Sequence, residues 1–173
     1  AKDMTPLAYK QEILAEDTEE IPGALWRQEP IDKTRIVAVP ELTRVVIGVD
    51  PPGGRTECGI VAAGIGPCRC KGHEEIHGFV LADDSLKAPP DVWSARVISS
   101  YDDWEADRVL GEQNFGGDMV ESTIRTASKT VSYKNVHASR GKIVRAEPVA
   151  ALYEQGKVHH VGTFAKLEDE MCS

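Results

Sequence analysis

Residues 45–50 read VVIGVD, and the next four residues, 51–54, read PPGG. Four of the six residues in VVIGVD are β-branched, and only the last is polar. A nearly continuous apolar run of this length, rich in Val and Ile, is typical of a strand buried within a sheet. The prolines and glycines that follow end such a strand. We therefore expect a buried strand whose last residue, Asp50, emerges at one edge of the sheet.

The segments that follow this strand predict the rest of the sheet. Further strands are expected at 58–64, 76–84, 106–112, 132–138 and 157–162, and helices at 90–105, from after 117 to about 128, and at 148–156. Short links join the first three strands, which favours antiparallel neighbours, whereas the later strands alternate with helices, which favours strands parallel to the first. The sequence therefore predicts an α/β fold with a mixed central sheet, in which three antiparallel strands precede alternating helices and parallel strands.

The N-terminal part of the chain has a different character. Residues 6–17 have helical spacing, whereas residues 18–41 are acidic, contain three prolines and have no clear period. We interpret 1–41 as a helix followed by a linker or lid, in which Trp26 docks onto a neighbouring surface. Residues 42–173 then form the main domain.

Composition limits the classes of function. The chain has 173 residues, 41% of them hydrophobic, and a net charge of −8, which suits one globular domain but has the wrong sign for a simple nucleic-acid binder. Residues 121–150, however, carry six Lys or Arg against two Asp or Glu, and such a basic stretch is either a DNA track or a solvated helix face. No apolar run is long enough to span a bilayer, and neither a secretory leader nor disulfides are expected.

Two acidic residues each end an apolar strand. Asp50 ends the first strand and Glu112 ends the segment 106–112. If those strands are parallel neighbours, both carboxylates emerge at the carboxyl edge, where open α/β sheets place ligands. Paired carboxylates bind divalent cations through hard oxygen donors, and two such cations can support phosphodiester cleavage. The alternative is that both acids only cap strand ends.

Five motifs follow one another across residues 45–171: VVIGVDPPGG, VLADDS followed by Pro and Trp93, VLGEQNFGGDMV, HASRGKIVRAEPVAALYEQGKVHHVG and LEDEM. Together and in this order they resemble the nuclease domain of tailed-phage large terminase subunits, which has a ribonuclease-H-like fold. The resemblance implies a nuclease that cuts concatemeric double-stranded viral DNA with Mg²⁺ or Mn²⁺ held by an acidic triad, in which Asp50 and Glu112 are the first two acids. It also implies an ATPase domain in the same polypeptide, the portal and the small terminase subunit as partners, and action at the procapsid in the host cytoplasm.

The third acid of the triad has no clear counterpart. The resemblance places it downstream of LEDEM, so we expect the C-terminal end of the domain to be truncated, or Asp169 (or Glu168) to take this role. Asp83 and Asp84, at the end of the third strand, either reach the same edge or cap a turn.

Three further residues are candidate DNA contacts. Lys142 and Arg145 lie in the basic stretch, and Asn114 follows Glu112 in a Gly-rich turn that could approach phosphate. The alternative is that Lys142 and Arg145 only lie in the solvated first turn of a helix. For the Gly-rich turn that contains Asn114, the alternative is a tight connection between a strand and a helix.

The stretch CRCKGHEEIH, residues 68–77, is a possible zinc site. Cys68, Cys70, His73 and His77 offer two thiols and two imidazoles within ten residues, the ligand types of tetrahedral zinc. Their spacing is not a common finger spacing, and a polar hairpin is the alternative. For His159 and His160, strand alternation predicts one buried and one exposed side chain, and no role is assigned.

The function predicted from these features is that of a divalent-metal-dependent endodeoxyribonuclease with Asp50, Glu112 and Asp169 as catalytic acids. Two alternatives remain at this point. One is a catalytically incomplete DNA-docking or assembly module, and the other is a different nuclease of the same fold, such as a Holliday-junction resolvase.

Overall fold

A computed structural model describes residues 23–53, 56–113, 118–137 and 141–173 of the chain. The predicted helix at 6–17 and the candidate contact Asn114 lie outside these residues. Six strands are present: β1 (Arg44–Asp50), β2 (Gly59–Cys68), β3 (Glu75–Asp83), β4 (Arg108–Glu112), β5 (Tyr133–Val136) and β6 (Val158–His160). The helices in the described residues are α1 (Gln28–Thr34), α2 (Pro90–Asp103), α3 (Met119–Ala127), α4 (Lys142–Glu154) and α5 (Ala165–Met171).

All six strands form one sheet in the order β5-β4-β1-β2-β3-β6. β1, β2 and β3 are successive antiparallel neighbours. β4 is parallel to β1, β5 is parallel to β4, and β6 is parallel to β3. The predicted mixed sheet is therefore confirmed, and β1 lies near its middle. Because β1, β3 and β4 run in the same direction, their carboxyl ends lie at the same edge of the sheet.

The main hydrophobic core covers one face of this sheet. Val45, Ile47 and Val49 of β1 are buried on that face, and Val46 and Gly48 between them are only half-buried on the other. Helices α2 and α3 pack over the buried face, where Val97 and Ile124 are fully buried. The strict alternation along β1 differs from the expectation of a strand buried on both faces. It also places Asp50 on the less covered face.

The segment before β1 contains a helix that the sequence did not predict. Residues 28–34 were expected to be irregular, but they form α1, and Ile31 in this helix is buried in a second, smaller core with Tyr153 and Val158. Trp26 packs edge-on against Tyr153, with 6.2 Å between ring centroids, so the expectation that Trp26 docks onto the domain is confirmed. Tertiary packing, which local composition does not encode, stabilises this short helix.

Helix α4 also begins earlier than predicted. The sequence placed Pro148 in the first turn of a helix at 148–156, but the helix spans Lys142–Glu154 and has Pro148 in its interior. Proline there removes the N–H that would bond to the carbonyl of Val144. Residues 142–145 are exposed, so water can hydrate that carbonyl, which reduces the penalty. In the part of the chain that the structure describes, no helix is long and apolar enough to cross a membrane.

Candidate functional site

Asp50 and Glu112 are in neighbouring positions at the carboxyl edge of the sheet. β1 and β4 pair in parallel with Val49 opposite Gly111, so Asp50 and Glu112 are the next residues along two adjacent strands. Paired residues of neighbouring strands project to the same face, and the strands lie about 5 Å apart. Both residues therefore project from the face opposite α2 and α3, with their Cα atoms about one strand spacing apart.

A cleft of about 140 Å³ opens beside Asp50. Besides Asp50, three further acids line the cleft: Glu57, Asp83 and Glu170. Its other lining residues are Lys166, Gly59, Ser85 and Leu167. Lys166 forms an ion pair with Glu57. A Cβ at position 59 would lie only 3.3 Å from the Cβ of Asp50, so Gly59 keeps the space beside this carboxylate open. The cleft is thus rich in oxygen donors, with a surplus of negative charge.

The two acids at the end of β3 have different surroundings. Asp83 lines the cleft with Asp50, and its Oδ1 accepts a hydrogen bond from the Ser85 backbone N–H at 3.2 Å. Val61 of β2 pairs with Asp83, and Gly59, two residues earlier, pairs with Asp50, so both acids are on the same face of the sheet. Asp84, in contrast, lies 3.5 Å from Arg96 in an ion pair and does not line the cleft.

Glu112 contacts one of the candidate DNA-binding residues. Nη2 of Arg145, in the first turn of α4, lies 3.2 Å from Oε1 of Glu112. Both side chains remain partly exposed, at 36% for Arg145 and 18% for Glu112, so the pair is accessible from solvent. Lys142 is the first residue of the same helix and is exposed. The start of α4 therefore brings positive charge to the edge that carries the acids.

Glu168, on α5, is held in a buried network away from the cleft. Its carboxylate is fully buried and accepts hydrogen bonds from Nδ1 of His160 at 2.8 Å and Nη1 of Arg35 at 2.6 Å. Burial would raise the pKa of Glu168, but the hydrogen bonds from His160, Arg35 and the backbone of Phe164, with the charge of Arg35, lower it to about 2. Glu168 is therefore unavailable as the third acid at the cleft. His159 and His160 are both buried, which corrects the expectation that one would be exposed, because helices and loops cover both faces of this edge strand.

The other candidate on α5, Asp169, is half-buried, and burial and then the nearby charge of Glu168 raise its pKa. It is not among the residues that line the cleft beside Asp50. The acid of α5 that does line the cleft is Glu170. The sequence does not indicate which acid of α5 faces the cleft, because the orientation of a seven-residue helix depends on its tertiary contacts.

The structure brings together three of the four residues proposed for zinc. Cys68, Cys70 and His77 form a cluster whose fourth member is His159, and all four ligand atoms lie within 4.8 Å of one another. His73 is not part of it, since its side chain is 67% exposed and points to Glu75. Sequence reasoning missed His159 because it lies 82 residues beyond His77 and becomes a neighbour only when β6 pairs with β3. A second cavity, of about 620 Å³, adjoins Cys70 and His159 and is lined by none of the strand-end acids.

Comparisons with known proteins agree with this architecture. Residues 47–173 match the family described as the terminase RNaseH-like domain. The large terminase nuclease from thermophilic phage G20c with bound cobalt has a TM-score of 0.56 at 15% identity, covering 88% of this chain and 80% of that one. The same nuclease with bound magnesium has a TM-score of 0.54 at 14% identity, covering 91% and 81%. For the large terminase of bacteriophage HK97 the TM-score is 0.50 at 12% identity, covering 83% of this chain and 34% of that one.

At identities this low the solved structures establish the fold, which is the ribonuclease-H-like fold that the sequence predicts. No curated protein matches the sequence. The family match is the stronger finding, because it spans well over half of the chain. The chain therefore belongs to the terminase RNaseH-like domain family.

Proposed function

We propose that this chain is a nuclease domain that hydrolyses double-stranded DNA with two divalent cations, Mg²⁺ or Mn²⁺, at the edge formed by Asp50 and Glu112. The observation that carries the proposal is the register of β1 and β4, which sets these acids side by side on one face. The magnesium and cobalt named for the phage G20c nuclease are hard or borderline divalent cations, and carboxylates are suitable ligands for them.

The residues around this edge suit such cations. Asp50 and Glu112 are the proposed ligands. Asp83 is on the same face of the sheet and lines the cleft beside Asp50. Several carboxylates held this close repel one another, and bound cations relieve that repulsion. When bound, two metal ions supply an activated water and stabilise the leaving oxygen.

The third acid of this centre is also a proposal. Asp169 remains the candidate from the sequence, but Asp83 has more support because it lines the cleft with Asp50 and Asp169 does not. Asp83→Asn and Asp169→Asn variants therefore distinguish the two, and we expect the greater loss of cleavage from Asp83→Asn.

The cations at the start of α4 have a proposed role with DNA. The Arg145 guanidinium, beside Glu112, is positioned to pair with a phosphate, and the exposed Lys142 lies one turn away on the same helix. Arginine pairs with phosphate bidentately, whereas lysine acts as a point charge. Contacts of this kind hold the backbone without reading sequence, as a packaging nuclease requires. Asn114 remains a further candidate contact.

Family membership supports the biological setting that we propose. In this proposal the domain cuts concatemeric viral DNA in the host cytoplasm, at the procapsid, and works with an ATPase domain of its own polypeptide, the portal and the small terminase subunit. The alternatives are a DNA-docking module that binds but does not cut, and a resolvase that prefers four-way junctions.

A nicking assay on supercoiled plasmid with Mn²⁺ tests the proposal. We expect cleavage by the unchanged chain, and loss of cleavage to background in Asp50→Asn and Glu112→Ala with little change in melting temperature, since neither acid is in a stabilising core contact. Asp102→Asn, an exposed acid on α2, is the matched control and should cleave normally. Binding without cleavage by the unchanged chain would contradict the proposal and favour the docking module. Selective cutting of four-way junctions over linear duplex would favour the resolvase.

A further inference from the structure

Four side chains, three from one short stretch and one from a distant part of the sequence, converge at the end of the sheet opposite the acids. Cys68 ends β2, Cys70 is in the turn that follows, His77 is in β3 and His159 is in β6. Gly59, which faces Asp50, is at the other end of β2. Cys68 is nine positions further along β2 than Gly59, which corresponds to about 30 Å of strand. The cluster is thus remote from the proposed nuclease centre.

The distances within the cluster are close to the edges of a metal-centred tetrahedron. With Zn–S bonds near 2.3 Å and Zn–N bonds near 2.0 Å, tetrahedral geometry sets S···N edges of about 3.5 Å and N···N edges of about 3.3 Å. The Sγ of Cys70 lies 3.7 Å from Nδ1 of His77 and 3.9 Å from Nε2 of His159, and the Sγ of Cys68 lies 3.8 Å from Nε2 of His159. The two histidine nitrogens are 2.8 Å apart. One cation at the centre would reach all four atoms with small shifts.

The outer nitrogens of both histidines face hydrogen-bond acceptors. Nδ1 of His159 lies 2.7 Å from the backbone carbonyl oxygen of Thr34, and Nε2 of His77 lies 3.0 Å from a carboxylate oxygen of Glu75. A carbonyl and a carboxylate accept only, so each outer nitrogen carries the proton. In neutral imidazoles the inner nitrogens then carry lone pairs, and these two lone pairs face each other at 2.8 Å. A shared cation resolves this conflict.

This arrangement is also the usual outer shell of histidine ligands. Metal-bound histidines commonly donate their second N–H to a carboxylate or to a backbone carbonyl, which fixes the tautomer and the ring orientation. The backbone N–H of Cys70 lies 3.4 Å from Sγ of Cys68, and such a contact stabilises a thiolate. Each ligand except Cys70 thus has its own supporting contact.

We propose that Cys68, Cys70, His77 and His159 bind one structural zinc ion. Two thiolates and two imidazoles form a soft, closed set of four protein ligands, which favours Zn²⁺ over Mg²⁺ and has no open position for a substrate. The ion links the β2–β3 hairpin to β6, an edge strand of three residues. Through Thr34 it also supports the end of α1. Its role is therefore to fasten this edge of the sheet rather than to cut DNA.

Metal analysis of the purified 173-residue chain tests the proposal. The chain is prepared under reducing conditions without chelator, and we expect one zinc per chain. Cys70→Ser, which alters an exposed side chain, should contain almost none, and His159→Asn likewise. Cys172→Ser and His73→Ala are the matched controls, since these residues lie outside the cluster, and both should keep their zinc. Asp50→Asn and Glu112→Ala should also keep it, which separates this proposal from the proposed nuclease.

Cobalt gives a readout that does not depend on the stability of any variant. Titrating Co²⁺ into the unchanged chain after zinc removal should produce intense ligand-field bands and thiolate-to-cobalt charge-transfer absorption, which carboxylate ligands do not give. A chain that holds no zinc and shows no such bands would overturn the proposal, and so would a Cys68–Cys70 disulfide in the reduced preparation. Loss of zinc in His73→Ala with retention in His159→Asn would overturn this ligand set.

Discussion

Replacing Glu168 with Gln should destabilise the domain, and by an amount that depends on pH. The glutamine keeps the shape of the side chain but removes the negative charge that Arg35 and His160 contact. Glu168 is fully buried, and its pKa is lowered from 4.5 to about 2. That difference corresponds to roughly 3 kcal/mol in favour of the folded state at neutral pH. Removing one partner of a buried ion pair costs a similar amount, about 3–5 kcal/mol.

The sign of the pH dependence follows from the lowered pKa. The stabilisation from the Glu168 carboxylate is fully present above the unfolded-state value of 4.5 and is lost as the pH falls towards the folded-state value of about 2. The gap in unfolding free energy between the unchanged chain and Glu168→Gln should therefore be about 3 kcal/mol at pH 7 and less than half of that by about pH 3. Above pH 5 the gap should be constant.

Urea unfolding followed by tryptophan fluorescence measures this gap at a series of pH values. Glu170→Gln is the matched control, because Glu170 is an exposed glutamate on the same helix, and surface substitutions usually change stability by less than about 0.5 kcal/mol. The reasoning is refuted if Glu168→Gln costs no more than Glu170→Gln at pH 7. It is also refuted if the gap stays the same between pH 7 and pH 3.

Three other substitutions or treatments test separate parts of the structure. Replacing Lys142 and Arg145 with Ala should weaken duplex binding equally for all sequences and reduce the salt dependence by about one unit of slope per lost phosphate contact; unchanged affinity and slope at two salt concentrations would mean that α4 does not touch DNA. Gly111→Ala should cost about 2 kcal/mol in urea unfolding, because the new Cβ would overlap the side chain of Tyr133, and an unchanged midpoint would contradict this packing. Burial, with the charges of Asp50 and Glu57, raises the pKa of the Cys58 thiol to about 12, so iodoacetamide at pH 8 should leave Cys58 unmodified until urea unfolds the chain; mass spectrometry of the labelled peptides checks it.

Much of the sheet could be predicted because each strand carries a local signal. The apolar runs before Asp50 and Glu112 define β1 and β4, and the alternation of helices and strands after β3 requires parallel pairing. The predictions for α1 and for the start of α4 were wrong, since both depend on contacts or solvation that a local pattern does not contain. The exposed first turn of α4 tolerates Pro148, and Ile31 holds α1 in place.

The acidic edge of the sheet and the Cys/His cluster could be predicted only in part, because both depend on tertiary contacts that a local sequence pattern does not contain. The sequence indicated Asp50 and Glu112 because each acid ends its own strand. It gave no reason to prefer Asp83 to Asp169 as the proposed third acid, because that preference rests on which side chains line the cleft. Likewise, Cys68 and His77 are close in sequence, but their partner His159 is brought in by the pairing of β6 with β3, which local periodicity does not specify.

The buried carboxylate of Glu168 also sets the rotational phase of α5. Successive residues of a helix are turned by about 100°, so fixing one side chain fixes the direction of all the others. With Glu168 bonded inward to His160, Arg35 and the backbone N–H of Phe164, the side of the helix that carries Glu170 must face the cleft beside Asp50. Deleting Asp169, which lies between Glu168 and Glu170, would turn the Glu170 side of the helix away from the cleft by about a quarter of a turn. The charge that lines the cleft is thus determined by a hydrogen-bond network whose own members do not line it.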